Sequence, residues 1–336
     1  MAPIFIIGTE RSGSNLLRLI LNSHPNIVIP HPPHVMRYFA PLVGQYGDLS
    51  DPARFRRLVD DVLALVHAHI HPWPWVPTAD EIVSRATHRD LLGVYGALHD
   101  ALAAHEHKPR WGCKSTFMID QAAEVVARYP GARLLWLYRD PRDVAASSRK
   151  SVFSTFHPYM SGQLWTTHQK QGLALEATGV PLLRLKYEDM VGAADVQMRR
   201  VCDYLGEDFH PPMLEFFKGR EAKMSATLSE SWQNTAAPIK ADGLERWRKD
   251  LTAEEVLAVE AVAGPTMEAL GYPPSCSAED RARTPGATTM ARWWAEDQAA
   301  WLQVEARSLR KDKNVALRWK RAVVLEKIRW RLRLGG

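Results

Sequence analysis

The chain has 336 residues, 46% of them hydrophobic and 24% charged, the balance of a soluble globular protein long enough to bury a core without disulfides or a structural metal. Its three cysteines, Cys113, Cys202 and Cys276, are far apart and offer neither a zinc spacing nor a disulfide framework, so three reduced thiols in a cytoplasmic protein are expected. No signal peptide is expected, no apolar run approaches the roughly 18 residues of a membrane span, and the net charge of +5 sits in one place: residues 281–336 hold 14 Lys and Arg against 5 Asp and Glu, leaving the rest of the chain at −4.

In chain order, Ile4–Ile7 reads as a buried strand ending in Gly8, and residues 14–22 as a helix with Leu16, Leu17, Ile20 and Leu21 on one face. Residues 24–34, HPNIVIPHPPH, form a proline-rich loop. A helix over 51–70 stops before His71-Pro72, and HPWPWVP is irregular because its prolines forbid helix. A helix follows over 88–107, then a short strand, RWGCKS, over 110–115. Residues 118–130 are an amphipathic helix, and RLLWLYR, 133–139, is a strong buried strand. Asp140 caps the next helix with Pro141 at its first position. A helix over about 162–178, the strand 181–187, a helix ending near Gly206 and a helix over 252–270 complete the body. Strands alternating with helices imply a parallel sheet covered on both faces. Residues 273–290 read as a linker, and 291–334 as two basic helices.

The stretch GTERSGSNL carries the G-x-x-x-x-G spacing of a phosphate-binding loop in Gly8 and Gly13. Such a strand–loop–helix unit aims backbone N–H groups and a helix dipole at one point, an anion site. Ser14 and Asn15 stand where a nucleoside-triphosphatase has the lysine that bridges phosphates and the hydroxyl that holds magnesium. The cation is instead Arg11. The loop therefore suits one phosphate bearing a transferable group, handled without a metal. Farther on, Arg139 ends a buried strand, where ligands bind in open α/β sheets. It can fork onto a phosphate, and Ser147 lies about two helical turns beyond.

RSGSNLLRLILNSHP followed by LLWLYRDPRDVAASS resembles the sulfotransferases that use 3′-phosphoadenosine 5′-phosphosulfate (PAPS), in the bacterial and tyrosylprotein branch. The resemblance covers roughly residues 3–272, read as a sulfotransferase domain over 1–272 with a P-loop-type parallel sheet, followed by the linker and a basic, Trp-rich helical extension over 291–336. It implies PAPS as co-substrate, adenosine 3′,5′-bisphosphate (PAP) as product and no metal. By that resemblance Arg11, Ser12, Gly13, Ser14, Asn15 and Leu16 hold the 5′-phosphosulfate, and Arg139 and Ser147 hold the 3′-phosphate. WGCKST gives Lys114 as the cation on the sulfuryl group, and LLRLKYEDMV gives Tyr187 beside the adenine. Residues 227–251 resemble the late loop that covers the nucleotide, with Ser231 and Lys240 as phosphate contacts. His24 belongs to the His-Pro turn after the first helix.

Relatives in the tyrosylprotein branch place a glutamate base eight residues after that histidine. Here the position is Pro32, and no acid occurs between Glu10 and Asp48. His34 is favoured as the base because VMRYF behind it can start a helix. His31, between prolines, is the second candidate; His157 and His168 are weaker. Residues 31–77 and 151–170 should line the acceptor site, with Tyr38, Phe39, Trp73, Trp75, Phe153, Phe156, Tyr159 and Trp165 suiting an apolar, small-molecule or lipid-like acceptor. In the tail, Trp319, Val323, Trp330 and Leu334 form a stripe expected to pack on the body or a second subunit, or to touch an anionic membrane; nucleic acid is not expected. Two other readings remain: a P-loop kinase or nucleoside-triphosphatase, and a catalytically silent nucleotide-binding protein.

Overall fold

A computed structural model of the chain describes every residue except Phe153, Ser229, Asp242, Thr284, Asp312, Lys313, Asn314 and Gly336, and only the backbone of Glu230, Ser231, Arg310 and Lys311. The strands are β1 (Ile4–Gly8), β2 (Ile27–Val28), β3 (Arg110–Lys114), β4 (Arg133–Tyr138) and β5 (Leu182–Lys186). They form one parallel sheet in the order β2-β3-β1-β4-β5, with Ile4 facing Gly112 on one side and Arg133 on the other. Through its first part the chain builds β1, leaves by the helix α1 (Ser14–Asn22) to β2 and returns by β3 to the edge of β1, then crosses to β4. β1 is thus the point where the winding reverses, and its carboxyl end is where such sheets bind ligands.

The period of two in a strand divides the core between the faces. Phe5, Ile7, Leu134, Trp136 and Tyr138 face one cluster, and Ile4, Ile6, Leu135, Leu137 and Leu185 the other. The first face is covered by α3 (Pro52–His67), α5 (Leu91–His105), α8 (Pro158–Ala177) and α13 (Ala253–Ala269), the second by α1 and α10 (Ala194–Leu205). Between these lie α2 (Val35–Phe39), α4 (Ala79–Arg85), α6 (Ala122–Arg128), α7 (Pro141–Ser148), α9 (Tyr187–Gly192), α11 (Arg220–Leu228), α12 (Trp247–Asp250) and α14 (Ala278–Ala282). Asp140 caps α7 by accepting from the Arg142 N–H, 2.9 Å, with Pro141 at N1. Thr252 and Glu255 form a capping box on α13, and Gly206 ends α10 in the left-handed conformation.

The helix expected from about 162 begins four residues sooner, because His157 accepts from the Tyr159 N–H and Pro158 fills N1. The segment read as a linker contains α14 and is tied down. Glu260, fully buried in α13, accepts from the Ser275 and Cys276 N–H groups at 2.8–3.0 Å and pairs with Arg142 at 2.9 Å.

The basic tail forms α15 (Ala287–Lys311) and α16 (Val315–Arg333), and α16 packs on α3. Its buried residues are Leu325, Ile328 and Leu332. The stripe picked out by spacing points the other way: Trp319, Val323, Trp330 and Leu334 are 52–68% exposed. A 19-residue helix has room for two apolar stripes, and Leu325, Ile328 and Leu332 at spacings of three and four join the main core. Their face is fixed at one edge by Arg331, which pairs with the buried Asp61.

Candidate active site

At the carboxyl end of β1 the chain turns sharply. Gly8 has φ 140°, and a Cβ there would lie 2.1 Å from the Leu137 carbonyl oxygen; Gly13 has φ 90°, and its Cβ would meet the Tyr187 ring at 2.4 Å. Only glycine permits either approach. The first helical bond of α1 is Leu17 N–H to the Gly13 carbonyl, 3.1 Å, and no side chain caps the helix. The amides of Ser14, Asn15 and Leu16 precede that bond, so this end attracts anions.

Three cations converge there from three strands. Arg11 follows β1, Lys114 ends β3 and Arg139 follows β4. Arg11 Nε donates to Ser147 Oγ, 3.2 Å. Arg139 donates to the carbonyls of Arg11, 3.3 Å, and Gly243, 2.9 Å, and its guanidinium lies 4.4 Å from the Tyr187 ring centre. Asp143 holds it from below at 3.5 Å while accepting from the Glu245 and Trp247 N–H groups, both 3.0 Å. Burial, with the nearby Arg18 guanidinium second, pulls the Lys114 ammonium down to about 7. Burial also lowers Arg11. Ser12 Oγ, Asn15 Nδ2 and Arg139 Nε are buried with no partner. Such orphaned donors carry a desolvation cost that an oxyanion would remove.

These groups open on one cleft of about 1270 Å³. Among the sequence-predicted residues, Arg11, Gly13, Ser14, Asn15, Leu16, His31, His34, Lys114, Arg139, Ser147, Tyr187 and Lys240 line it. Ser12 is buried behind the loop. The side chain of Ser231 and all of Phe153 lie outside the described residues. Residues 232–246 supply a further wall through Trp232, Asn234, Thr235, Lys240 and Gly243.

Beyond Lys114 the cleft becomes histidine-rich. His34 Nδ1 lies 3.0 Å from Ser115 Oγ, and its ring packs edge-on against Phe117. His31 Nδ1 lies 2.9 Å from His69 Nε2, and His31 stacks on His71 at 4.8 Å between ring centres. Burial first, then neighbouring cations or imidazoles, holds His31, His34 and His69 well below the usual histidine value, and burial beside Arg18 pulls His71 down to about 4. All four rings are therefore neutral near pH 7, with a lone pair free of a proton, and the same burial makes each a weaker base than an exposed histidine. Glu10 is the acid of this region: burial raises its carboxyl, which accepts from Ser154 Oγ at 2.5 Å. Arg11 and His34 are two of the four non-glycine residues with left-handed φ among those described, at 66° and 56°. Strain of this kind gathers at functional sites.

Sequence reasoning missed Glu10, His69 and His71. Glu10 stood inside the loop motif itself and was available as an acid one residue from Arg11; His69 reaches the cleft only through folding of the 68–77 segment, and His71 is buried behind His31, with its Nε2 2.9 Å from Ser225 Oγ. Several expected lining residues belong elsewhere. Phe39, Trp73 and Trp165 are buried in the core: Phe39 and Trp73 turn inward toward α3 and α5, and Trp165 lies in α8, its indole N–H donating to the Arg139 carbonyl at 2.9 Å. Trp75 stacks on His105, and Tyr159 packs on Trp293. His157 caps α8 and stacks on Trp293, and His168 is buried away from the cleft lining. His24 reaches the Asp208 carbonyl at 2.9 Å and so pins the turn after α1.

Comparison with known proteins places this geometry in context. A family model described as "Sulfotransferase family" matches residues 3–211. The chain is 24% identical over 287 residues to protein-tyrosine sulfotransferase A of Caenorhabditis elegans, covering 82% of this chain and 68% of that one. It is 22% identical over 294 residues to protein-tyrosine sulfotransferase of Drosophila melanogaster, covering 83% of this chain and about half, 53%, of that one. Among solved structures, the sulfotransferase domain from the curacin biosynthetic pathway shares the fold with a TM-score of 0.53 at 20% identity, over 81% of this chain and 98% of that one.

Proposed function

Because the chain belongs to the sulfotransferase family, we propose that it moves the sulfuryl group of PAPS to a hydroxyl of a small-molecule or lipid-like acceptor. The observation that carries this reading is the convergence of Arg11, Lys114 and Arg139 on an uncapped helix end, with unpartnered buried donors among them. The amides of Ser14–Leu16 and Arg11 hold the 5′-phosphate end. Arg139 and Ser147 hold the 3′-phosphate, and the Tyr187 ring lies beside the base.

In the reaction the acceptor oxygen forms a bond to sulfur as the bond from sulfur to the 5′-phosphate oxygen breaks, and PAP leaves. Charge grows on the bridging oxygen, and Lys114 and Arg11 stabilise it. Positioned cations in a water-poor site do most of such work. The acceptor proton passes to His34, which Ser115 orients. His31 lies deeper, its Nδ1 engaged by His69. A second base is favoured by a specific observation: the Glu10 carboxyl is buried and raised, which strengthens it as a base relative to an exposed carboxylate.

The test is calorimetric titration of the full chain with PAP in the presence of EDTA, followed by label transfer from sulfur-labelled PAPS to a panel of phenols and alcohols. PAP binding that survives EDTA, with label appearing in product, is expected. Binding of ATP that requires magnesium would overturn the reading in favour of a P-loop kinase or nucleoside-triphosphatase. PAP binding with no transfer to any acceptor would instead favour a silent binding protein.

A further inference from the structure

One wall of the cleft comes from the C-terminal helices. Asp297, Gln298 and Trp301 of α15 and Arg318 and Arg321 of α16 line it together with Arg37, Tyr38 and Phe117. Residues 318 and 321 lie well beyond the segment that the family model matches.

Its charges are poorly compensated. Arg318 Nη1 donates to Glu305 at 3.1 Å, but Arg318 Nε and Nη2 are buried with no partner. The Arg37 guanidinium lies 3.8 Å from the Phe117 ring centre, and Arg321 lies 5.7 Å from that of Tyr38. Among the described residues neither makes a hydrogen bond or an ion pair. The acids nearby are committed: Asp297 accepts from the Phe156 and His157 N–H groups, both 2.7 Å, and Glu10 from Ser154. Burial, with Arg37 and Arg318 adding to it, pulls Arg321 below its ordinary value. Among the described residues Glu305 is the one carboxylate bonded to any of the three, so like charges repel across the wall and the unpartnered buried nitrogens of Arg318 keep part of their desolvation cost. A guanidinium fork fits a phosphate or carboxylate. The donor's phosphates already have Arg11, Lys114 and Arg139.

We propose that Arg37, Arg318 and Arg321 form a second anion subsite that selects the acceptor: a molecule with a phosphate or carboxylate in addition to the hydroxyl that is sulfated. Its apolar or aromatic body lies along Tyr38, Phe117 and Trp301. The place of the hydroxyl rests on the sulfuryl-transfer reading; the anion subsite stands on the arginines alone.

The experiment titrates the full chain, with and without saturating PAP, with phenyl phosphate and 4-hydroxybenzoate, and with the neutral 4-hydroxybenzyl alcohol. The anionic probes should bind at least about tenfold more tightly than the neutral one, and R318Q/R321Q should erase that preference. PAP affinity should stay the same in the variant, which also reports that the fold is intact; Arg321→Lys should retain part of the preference. Equal affinity for charged and neutral probes, or a preference untouched by R318Q/R321Q, overturns the subsite. Failure of PAP to bind overturns the donor reading, and the titration without PAP still decides the subsite. Phosphatidylglycerol vesicles, with phosphatidylcholine vesicles as control, distinguish the sources. Arginine-dependent vesicle binding displaced by phenyl phosphate marks a lipid headgroup; binding of the free probes alone marks a soluble acceptor.

Discussion

The half of the cleft proposed for the donor takes most of its groups from the carboxyl ends of β1, β3, β4 and β5 and from the helix after β4, with residues 232–246 closing it. The half proposed for the acceptor takes its groups from residues 31–38, 69–70, 116–117, 154–156, 297–301 and 318–321, brought together only by the complete fold. The first half is a set of local units, strand, turn and helix, whose chemistry and placement are written in the same short stretch. The second is an assembly, and its composition depends on which distant segments meet.

Removing the base where the two halves meet should have the largest effect. His34→Ala should cut turnover by roughly 10²–10⁴-fold with PAP affinity unchanged if His34 is the base. Glu10→Gln should do so instead if the carboxyl is, and single-turnover rates of the two variants decide between them. On the donor side, Arg139→Ala removes a charge-assisted fork worth about 1.5–3 kcal/mol. Calorimetry should show PAP affinity falling while that of adenosine 5′-monophosphate, lacking the 3′-phosphate, stays constant. A smaller effect comes from protonation. Lys114 is held at about 7 chiefly by burial, so the free protein carries this charge below that pH and loses it above. An anion restores it, and PAP binding at pH 8 should take up a proton that Lys114→Met abolishes. Calorimetry in buffers of different ionisation heat measures the uptake.

That the loop and helix groups proposed for the donor come together was legible because they lie close in the chain. Gly8, Arg11 and Gly13 lie within one loop, and Asp140, Pro141 and Ser147 within one capped helix, so residue order alone reports their proximity. The sheet was equally readable, since strands buried on both faces are continuous apolar runs. The acceptor half was not. A proline-rich segment with few basic residues, 31–77, suggested an apolar pocket, and no local pattern announced that Arg318 and Arg321 would close it. The tail misled for a related reason. Trp319, Val323, Trp330 and Leu334 are the larger and more conspicuous stripe, but the surface of α3 accepts Leu325, Ile328 and Leu332. Periodicity identifies apolar stripes without saying which one finds a partner. The linker reading failed to anticipate α14 and the grip of Glu260, because a buried carboxylate's acceptor role depends on Ser275 and Cys276 arriving from elsewhere. Glu260→Ala should accordingly cost about 1–3 kcal/mol by leaving the Ser275 and Cys276 N–H groups without an acceptor, Arg142 keeping Asp140 as its counter-charge, read as a lower denaturation midpoint.

Arg11 and His34 sit in a backbone geometry that glycine adopts freely and other residues resist. Selection for thermal endurance alone would therefore reward trimming both side chains and would discard a guanidinium and an imidazole on the way. With the roles proposed for them, these are two positions at which tolerance of heat and capacity for chemistry pull in opposite directions, and where a library sorted on heat resistance would drift toward inert protein.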